Sequence, residues 1–274
     1  MRLQDRVVLI TGASRGVGAG VALACARQGA HVALAAKTVD PNPRLAGTLG
    51  EVASQIRALG REAIVLPTDV RDSDQIEKMV ADTVGHFGRL DALVNNAGAI
   101  FWSSVADWPV KRFDLVFGVN VRAAFLASRA AIPHLRKQGG HIVMMSPPIH
   151  PEAAPGKGPY LVSKIGMTMV AMAIDAEESA VSVCSLWPIT AIKSAATENL
   201  GMGSAKDWRT VDILADATVA ILAQDPRQAK FRAWLDEDAL RTLDGVTDFV
   251  KYRCDPDHEP GPWSIELVDP TWKR

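Results

Sequence analysis

The chain has 274 residues, 48% of them hydrophobic, so it is long enough to bury a full core and suits a single α/β domain. Its 30 Lys and Arg nearly balance 31 Asp and Glu, and no basic block occurs, which argues against a nucleic-acid or polybasic membrane surface. The odd, scattered cysteines Cys25, Cys184 and Cys254 lack C-x-x-C spacing and read as reduced thiols.

Along the chain, hydrophobic period alternates between strand-like and helix-like. Apolar runs at 6–11, 31–36, 63–67, 92–95, 141–145 and 181–187, with a further one at 231–235, predict seven strands. The stretches 18–28, 45–59, 73–87, 111–137 and 160–178 carry helical patterns. Continuously apolar strands separated by helices predict a doubly wound, seven-stranded, mostly parallel sheet with helices on both faces. No linker or repeat divides the chain, and the Pro-rich, acidic tail from about 255 reads as an irregular surface extension. No apolar run approaches the ~20 residues of a membrane helix, the first strand begins too soon for a signal peptide, and the C-terminus is not an S-K-L address. A cytoplasmic location is expected, with no membrane or nucleic-acid partner.

Between the first strand and the first helix lies Thr11-Gly12-Ala13-Ser14-Arg15-Gly16-Val17-Gly18. Gly12, Gly16 and Gly18 let the backbone bend and approach a pyrophosphate, and the helix N-terminus offers it unpaired N–H groups. The bland alternative is a glycine turn that binds nothing. The second strand ends Ala35-Ala36-Lys37, without the carboxylate that selects NAD. Lys37 and Arg15 would offset a 2′-phosphate, so NADPH is expected over NADH; two solvated cations are the alternative.

Tyr160 and Lys164 stand four apart and share one helix face. An ammonium beside a phenol favours phenolate and equips the tyrosine to move a proton. Ser146 follows the fifth strand at the carboxyl edge of the sheet, where ligands collect, and its hydroxyl can hold a substrate oxygen. In isolation each residue has a structural alternative: Asp69 a turn residue, Asn95 and Asn96 loop hydrogen-bonders, Asn120 a helical residue with a structural polar partner, Ser146 a cap or loop residue. His150 lies near the presumed cleft, without a second ligand at metal spacing, and reads as a loop histidine. No metal site is expected.

The Thr11–Gly18 turn, Asp69-Val70, Asn95-Asn96-Ala97-Gly98, Asn120, Ser146, Tyr160 and Lys164 occur in the order and spacing of the short-chain dehydrogenase/reductase superfamily, which the sequence resembles over nearly its whole length. The resemblance implies a Rossmann-like fold and a nicotinamide cofactor touched by Gly12, Ser14, Arg15, Gly16, Val17, Gly18, Lys37, Asp69, Val70, Asn95, Ala97, Gly98, Tyr160 and Lys164. It implies Tyr160 as acid/base, Ser146 as substrate anchor, Lys164 on the nicotinamide ribose, and Asn120 holding a water in a proton relay to Lys164. It also implies a homodimer or homotetramer paired through the helices at 111–137 and 160–178.

Ala35-Ala36-Lys37-Thr38, Ser146-Pro147-Pro148 and Leu186-Trp187-Pro188-Ile189-Thr190-Ala191-Ile192 are similar to the branch called hydroxysteroid dehydrogenase-like protein 2. The superfamily's Pro-Gly after the sixth strand is here Pro188-Ile189, with a Val-x-Thr-like Ile192-Lys193-Ser194 displaced by one residue. The substrate wall is expected from 147–159 and 189–208, with Ile192, Leu200, Met202 and Trp208 lining an apolar pocket and Gly201-Met202-Gly203 as a hinge. The expected activity is NADP(H)-dependent interconversion of a carbonyl and a secondary alcohol, on a small or apolar substrate. A regulatory or scaffold protein that keeps the nucleotide cleft without turnover is the alternative. A sugar epimerase or dehydratase is disfavoured by the short chain beyond Asp225.

Overall fold

The computed structural model describes residues 1–41, 46–146 and 156–262. The first half runs β1 (Val7–Thr11), α1 (Gly16–Arg27), β2 (His31–Ala36), α2 (Leu49–Ala58), β3 (Ala63–Pro67), α3 (Ser73–Phe87) and β4 (Ala92–Asn95). Next come α4 (Val110–Phe117), a π-helical turn at Gly118–Arg122, α5 (Ala123–Leu135), β5 (Gly140–Met145), α6 (Gly158–Glu177) and β6 (Val181–Trp187). The last part holds β7 (Ala191–Ile192), α7 (Ala195–Asn199), β8 (Trp208–Arg209), α8 (Asp212–Leu222), β9 (Arg232–Leu235) and α9 (Asp236–Asp244).

The main sheet has the order β3-β2-β1-β4-β5-β6-β9 and every pairing is parallel. Its strands are apolar on both faces. Val8 and Ile10 of β1 and Val143 and Met145 of β5 join the core under α1, α2, α8 and α9, while Val7, Leu9, Ile142 and Met144 join the core under α3, α5 and α6. A sheet of this kind must be covered on both sides, which the alternating helices accomplish. The order reverses between β1 and β4, and the chain leaves both strands in diverging directions. That divergence opens a crevice at the carboxyl edge, where ligands bind in such sheets.

The seven strands of the main sheet fall where the sequence predicts, within one residue, whereas the short β7 and β8 arise in a stretch expected to be loop. The helices differ more. Helix α1 starts at Gly16, not Gly18, and α2 starts at Leu49 because Thr48 and Glu51 form a reciprocal capping box. Residues 110–135 form one continuous helix, long and apolar enough by composition to cross a membrane. It packs instead against α3 and α6, burying Ala123, Ala124, Ala127 and Ala131 in the core. The tail, expected to be a surface extension, is irregular but docked as far as Pro260: Glu259 pairs with Arg209 at 2.5 Å, and Pro260 is buried. Substituting Ile142→Ala, at a fully buried position of β5, is expected to lower unfolding free energy by ~2–5 kcal/mol in urea titrations. A change near zero would contradict the packing described.

Candidate active site

Loops from the carboxyl ends of β1 to β6 line one cleft of about 1220 Å³. The first of them is the glycine turn. Gly12 and Gly16 have φ values of 68° and 55°, in the left-handed region that favours glycine. A Cβ on Gly18 would lie 2.4 Å from the Gly12 carbonyl oxygen and 2.5 Å from Asn96 Nδ2, so this glycine supports the turn from beneath. Gly12, Ser14, Arg15, Gly16 and Val17 line the cleft. Helix α1 has no side-chain cap, so its first N–H groups remain for an anion. A close-packed glycine cradle opening onto uncapped helix donors fits a dinucleotide pyrophosphate.

The segment after β4 supports this turn, with a shift of one residue from the expected assignment. Asn95 does not line the cleft: its Nδ2 donates to Ser128 Oγ at 3.1 Å and reaches Met144 Sδ at 3.3 Å in the core. Asn96, in the expected motif but not among the expected cofactor contacts, donates from Nδ2 to the carbonyls of Thr11 at 2.9 Å and Gly12 at 3.2 Å. Strand alternation explains the exchange, since neighbouring side chains point to opposite sides and adjacent asparagines look alike in sequence. Ala97 and Gly98 line the cleft as expected.

At the end of the cleft beside β2 and β3, Lys37, Asp69 and Val70 line the wall, joined by Thr38 and Arg71. The two cations expected to face a phosphate are already engaged. Lys37 Nζ lies 3.3 Å from Asp69 Oδ2, and Arg15 donates to the carbonyls of Ala46 and Gly47, each at 3.0 Å. Hydrogen bonds from Arg71, with Lys37 nearby, hold the Asp69 carboxyl well below the usual carboxylate range.

At the other end the chemistry-bearing groups converge. Tyr160 is in the first turn of α6, with Lys164 one turn later, and Lys164 Nζ is 6.0 Å from the Tyr160 ring centroid. Lys164 Nζ donates to the Met145 carbonyl at 3.0 Å, tying α6 to the tip of β5. Ser146 Oγ donates back to the Lys164 carbonyl at 3.4 Å. Tyr160, Lys164 and Ser146 all line the cleft. Burial disfavours both charged forms: it pushes the Tyr160 phenol up and pulls the Lys164 ammonium down to about 8.

Asn120 is held by the loop after β4 and by α6. It sits in the π-helical turn, a distortion that often marks functional positions, and is wholly buried. Its Oδ1 accepts from Ala99 N at 2.8 Å, and its Nδ2 donates to Ser163 Oγ at 2.8 Å and to the Ala99 carbonyl at 3.2 Å. Ser163 Oγ donates onward to the Tyr160 carbonyl at 2.6 Å. The side chain of Asn120 therefore braces the loop after β4 against α6 and is absent from the cleft lining.

The remaining wall comes from 188–202. Pro188, Thr190, Ile192, Lys193, Ser194 and Met202 are among its lining residues, whereas Leu200 and Trp208 are not. Trp208 is buried, and its Nε1 donates to the Met202 carbonyl at 2.7 Å, so it holds the loop from behind. Ile189, where the superfamily has glycine, turns into a cluster with Trp187 and Leu235. Both stems of the loop are anchored to the first turn of α9: Asp236 Oδ1 accepts from Ile189 N at 3.1 Å, and Glu237 pairs with the nearly buried guanidinium of Arg209. The expected wall at 147–155, with His150, lies outside the described residues.

A family model described as short chain dehydrogenase matches residues 6–218. Hydroxysteroid dehydrogenase-like protein 2 of Danio rerio is 40% identical over 262 residues, covering 94% of this chain and 63% of that protein. The chain thus spans about 63% of the length of that curated relative. A crystal structure from Xanthomonas campestris superposes with a TM-score of 0.91 at 37% identity, covering 97% of this chain and 99% of the other. A short chain dehydrogenase from Mycobacterium thermoresistibile gives 0.89 at 36%, covering 98% and 99%.

The buried lysine makes stability pH-dependent. Between about 8 and the ordinary 10.5, the unfolded chain retains a proton that folded Lys164 has lost, so this position adds stability as pH rises. The melting-temperature difference between wild type and Lys164→Met is expected to shift in favour of wild type from about pH 7.5 to about pH 9.5. A difference independent of pH would contradict the burial of this ammonium.

Proposed function

This chain belongs to the short-chain dehydrogenase/reductase family, and from that premise we propose that it interconverts a carbonyl and a secondary alcohol using NADP(H), with Tyr160 as acid/base. The observation that carries this reading is the convergence of Tyr160, Lys164 and Ser146 on one wall of a cleft whose other end is a glycine cradle. Members of the family bind nicotinamide cofactors. Bound in the cleft, such a dinucleotide supplies or accepts the hydride.

The chain's own residues do the rest. The turn from Gly12 to Val17 and the start of α1 hold the pyrophosphate, Asp69 and Val70 border the adenine, and Arg15 with Lys37 faces the 2′-phosphate. Ser146 and Tyr160 hold the substrate oxygen, and Tyr160 gives its phenolic proton to that oxygen in reduction or removes it in oxidation. Lys164 carries the charge that makes this transfer feasible near neutrality. Moving a phenol from ~10 to ~7 requires roughly 4 kcal/mol in favour of phenolate. The Lys164 ammonium, 6.0 Å from the ring centroid, favours phenolate. Burial opposes the shift. A second positive charge is therefore needed, and the oxidised nicotinamide provides one. Asn120 acts as a positioning residue, fixing Ser163 and through it the first turn of α6.

A small or apolar substrate is supported by Ile100, Met145, Ile192 and Met202 in the lining. Self-association through α4, α5 and α6 is supported by exposed Phe113, Phe125, Val162 and Met169 on these helices.

Tyr160→Phe is expected to leave NADPH affinity within about twofold while lowering kcat by ~10³ or more across a carbonyl panel followed by nicotinamide absorbance. Turnover equal to wild type would remove Tyr160 from the chemistry. The kcat/KM for NADPH is expected to exceed that for NADH, and Lys37→Glu to reverse the order, because a carboxylate there repels the phosphate and suits ribose hydroxyls. An NADH advantage in wild type would contradict the cofactor assignment.

A further inference from the structure

Asp69 is surrounded by cations of unequal grip. Arg71 Nε donates to Asp69 Oδ1 at 3.0 Å and to Oδ2 at 3.1 Å, and Arg71 Nη2 donates to Oδ2 at 2.5 Å. The backbone N of Arg71 adds a further bond to Oδ1 at 3.1 Å. This fork-on-carboxylate arrangement is the strong form of such a contact. It is also fixed from outside: Arg122 Nη1 donates to the Arg71 carbonyl at 2.8 Å, and Asp69 N donates to Gln75 Oε1 at 2.8 Å.

Lys37 is the weaker partner. Its ammonium lies 3.3 Å from Oδ2, on a side chain that is 62% exposed. A hydrated point charge on a flexible stem, competing with a guanidinium for the same oxygen, moves readily to another anion. Among the described residues, the charged lining at this end comprises Arg15, Lys37 and Arg71 against Asp69. Without Arg71, the carboxylate would have Lys37 as its remaining side-chain cation and would repel an incoming phosphate.

We propose that Arg71 is a specificity-determining residue for the 2′-phosphate: by neutralising Asp69 it releases Lys37 to bind that phosphate. This rests on the NADP(H) reading above. Arg71 acts through the charge it cancels, so its removal discriminates between two ligands that differ only at the ribose 2′ position.

Calorimetric titration of the full chain with NADP⁺ and with NAD⁺, in the absence of substrate, tests it. Arg71→Gln is expected to weaken NADP⁺ about fivefold, the scale of one exposed charge pair, while NAD⁺ changes less than about twofold. Adding Asp69→Asn in the same chain is expected to restore the wild-type ratio of the two dissociation constants, because any loss of adenine contact affects both ligands equally. Added salt is expected to diminish the effect of Arg71→Gln. Equal weakening of both ligands would assign Arg71 a structural role and overturn the proposal, as would an unchanged ratio or failure of the double substitution to restore it. Wild type binding NAD⁺ as tightly as NADP⁺ would bring down the cofactor reading itself. A wild-type preference for NADP⁺ that survives Arg71→Gln would bring down this inference alone.

Discussion

A buried ammonium resting on the carbonyl oxygen at the tip of a central strand organises this molecule. Lys164 Nζ reaches the Met145 oxygen at 3.0 Å, and Ser146 returns a hydrogen bond to the carbonyl of Lys164. Removing a charge from water is expensive unless hydrogen bonds replace the lost hydration. Met145 supplies one such bond, and the ammonium has three donors, so capacity remains toward the cleft wall it lines. Tyr160, one turn earlier on α6, cannot move independently of this contact. The phenol, ammonium and hydroxyl thus form one rigid unit built from a strand end and a helix.

Rigidity of this unit is reinforced from a distance. The π-helical turn brings Asn120 between the loop after β4 and Ser163, whose hydroxyl bonds the Tyr160 carbonyl. The wall across from the phenol is held at both stems by the first turn of α9, through Asp236 and Glu237, with Glu259 adding to the same arginine. Positioning therefore depends on residues far from the reacting groups in sequence, and the docked tail contributes to it.

Much of this was legible in the sequence. Strands apolar on both faces have a single economical arrangement, so the seven strands, their parallel pairing and the crevice followed from periodicity. A tyrosine and lysine four apart on a helix have to share a face. The illegible parts have physical reasons. Asn95 and Asn96 are identical residues on opposite sides of a strand end, and one position of phase decides which supports the turn. The π-helical insertion changes hydrogen bonding without changing composition, so the Ala99 and Ser163 partners of Asn120 are not legible in its helical context. Trp208 and Leu200 are apolar residues of a loop, and only tertiary packing decides whether such residues line a cavity or support it. The engagement of Lys37 by Asp69, and of Arg209 by Glu237 and Glu259, joins residues between 28 and 50 positions apart, beyond the reach of local pattern.

Burial raises the Tyr160 phenol above its ordinary range, and the proposed chemistry requires positive charge beside it to bring it back toward neutrality. The chain has two tyrosines, and Tyr252 is pushed up by burial and donates to Asp216 Oδ2 at 2.7 Å. In a Tyr252→Phe background, phenolate absorbance reports Tyr160 alone. Its titration midpoint is predicted to lie above ~10 in the free protein and to fall toward neutrality when saturated with NADP⁺. A midpoint that stays above 10 in the complex would contradict the account.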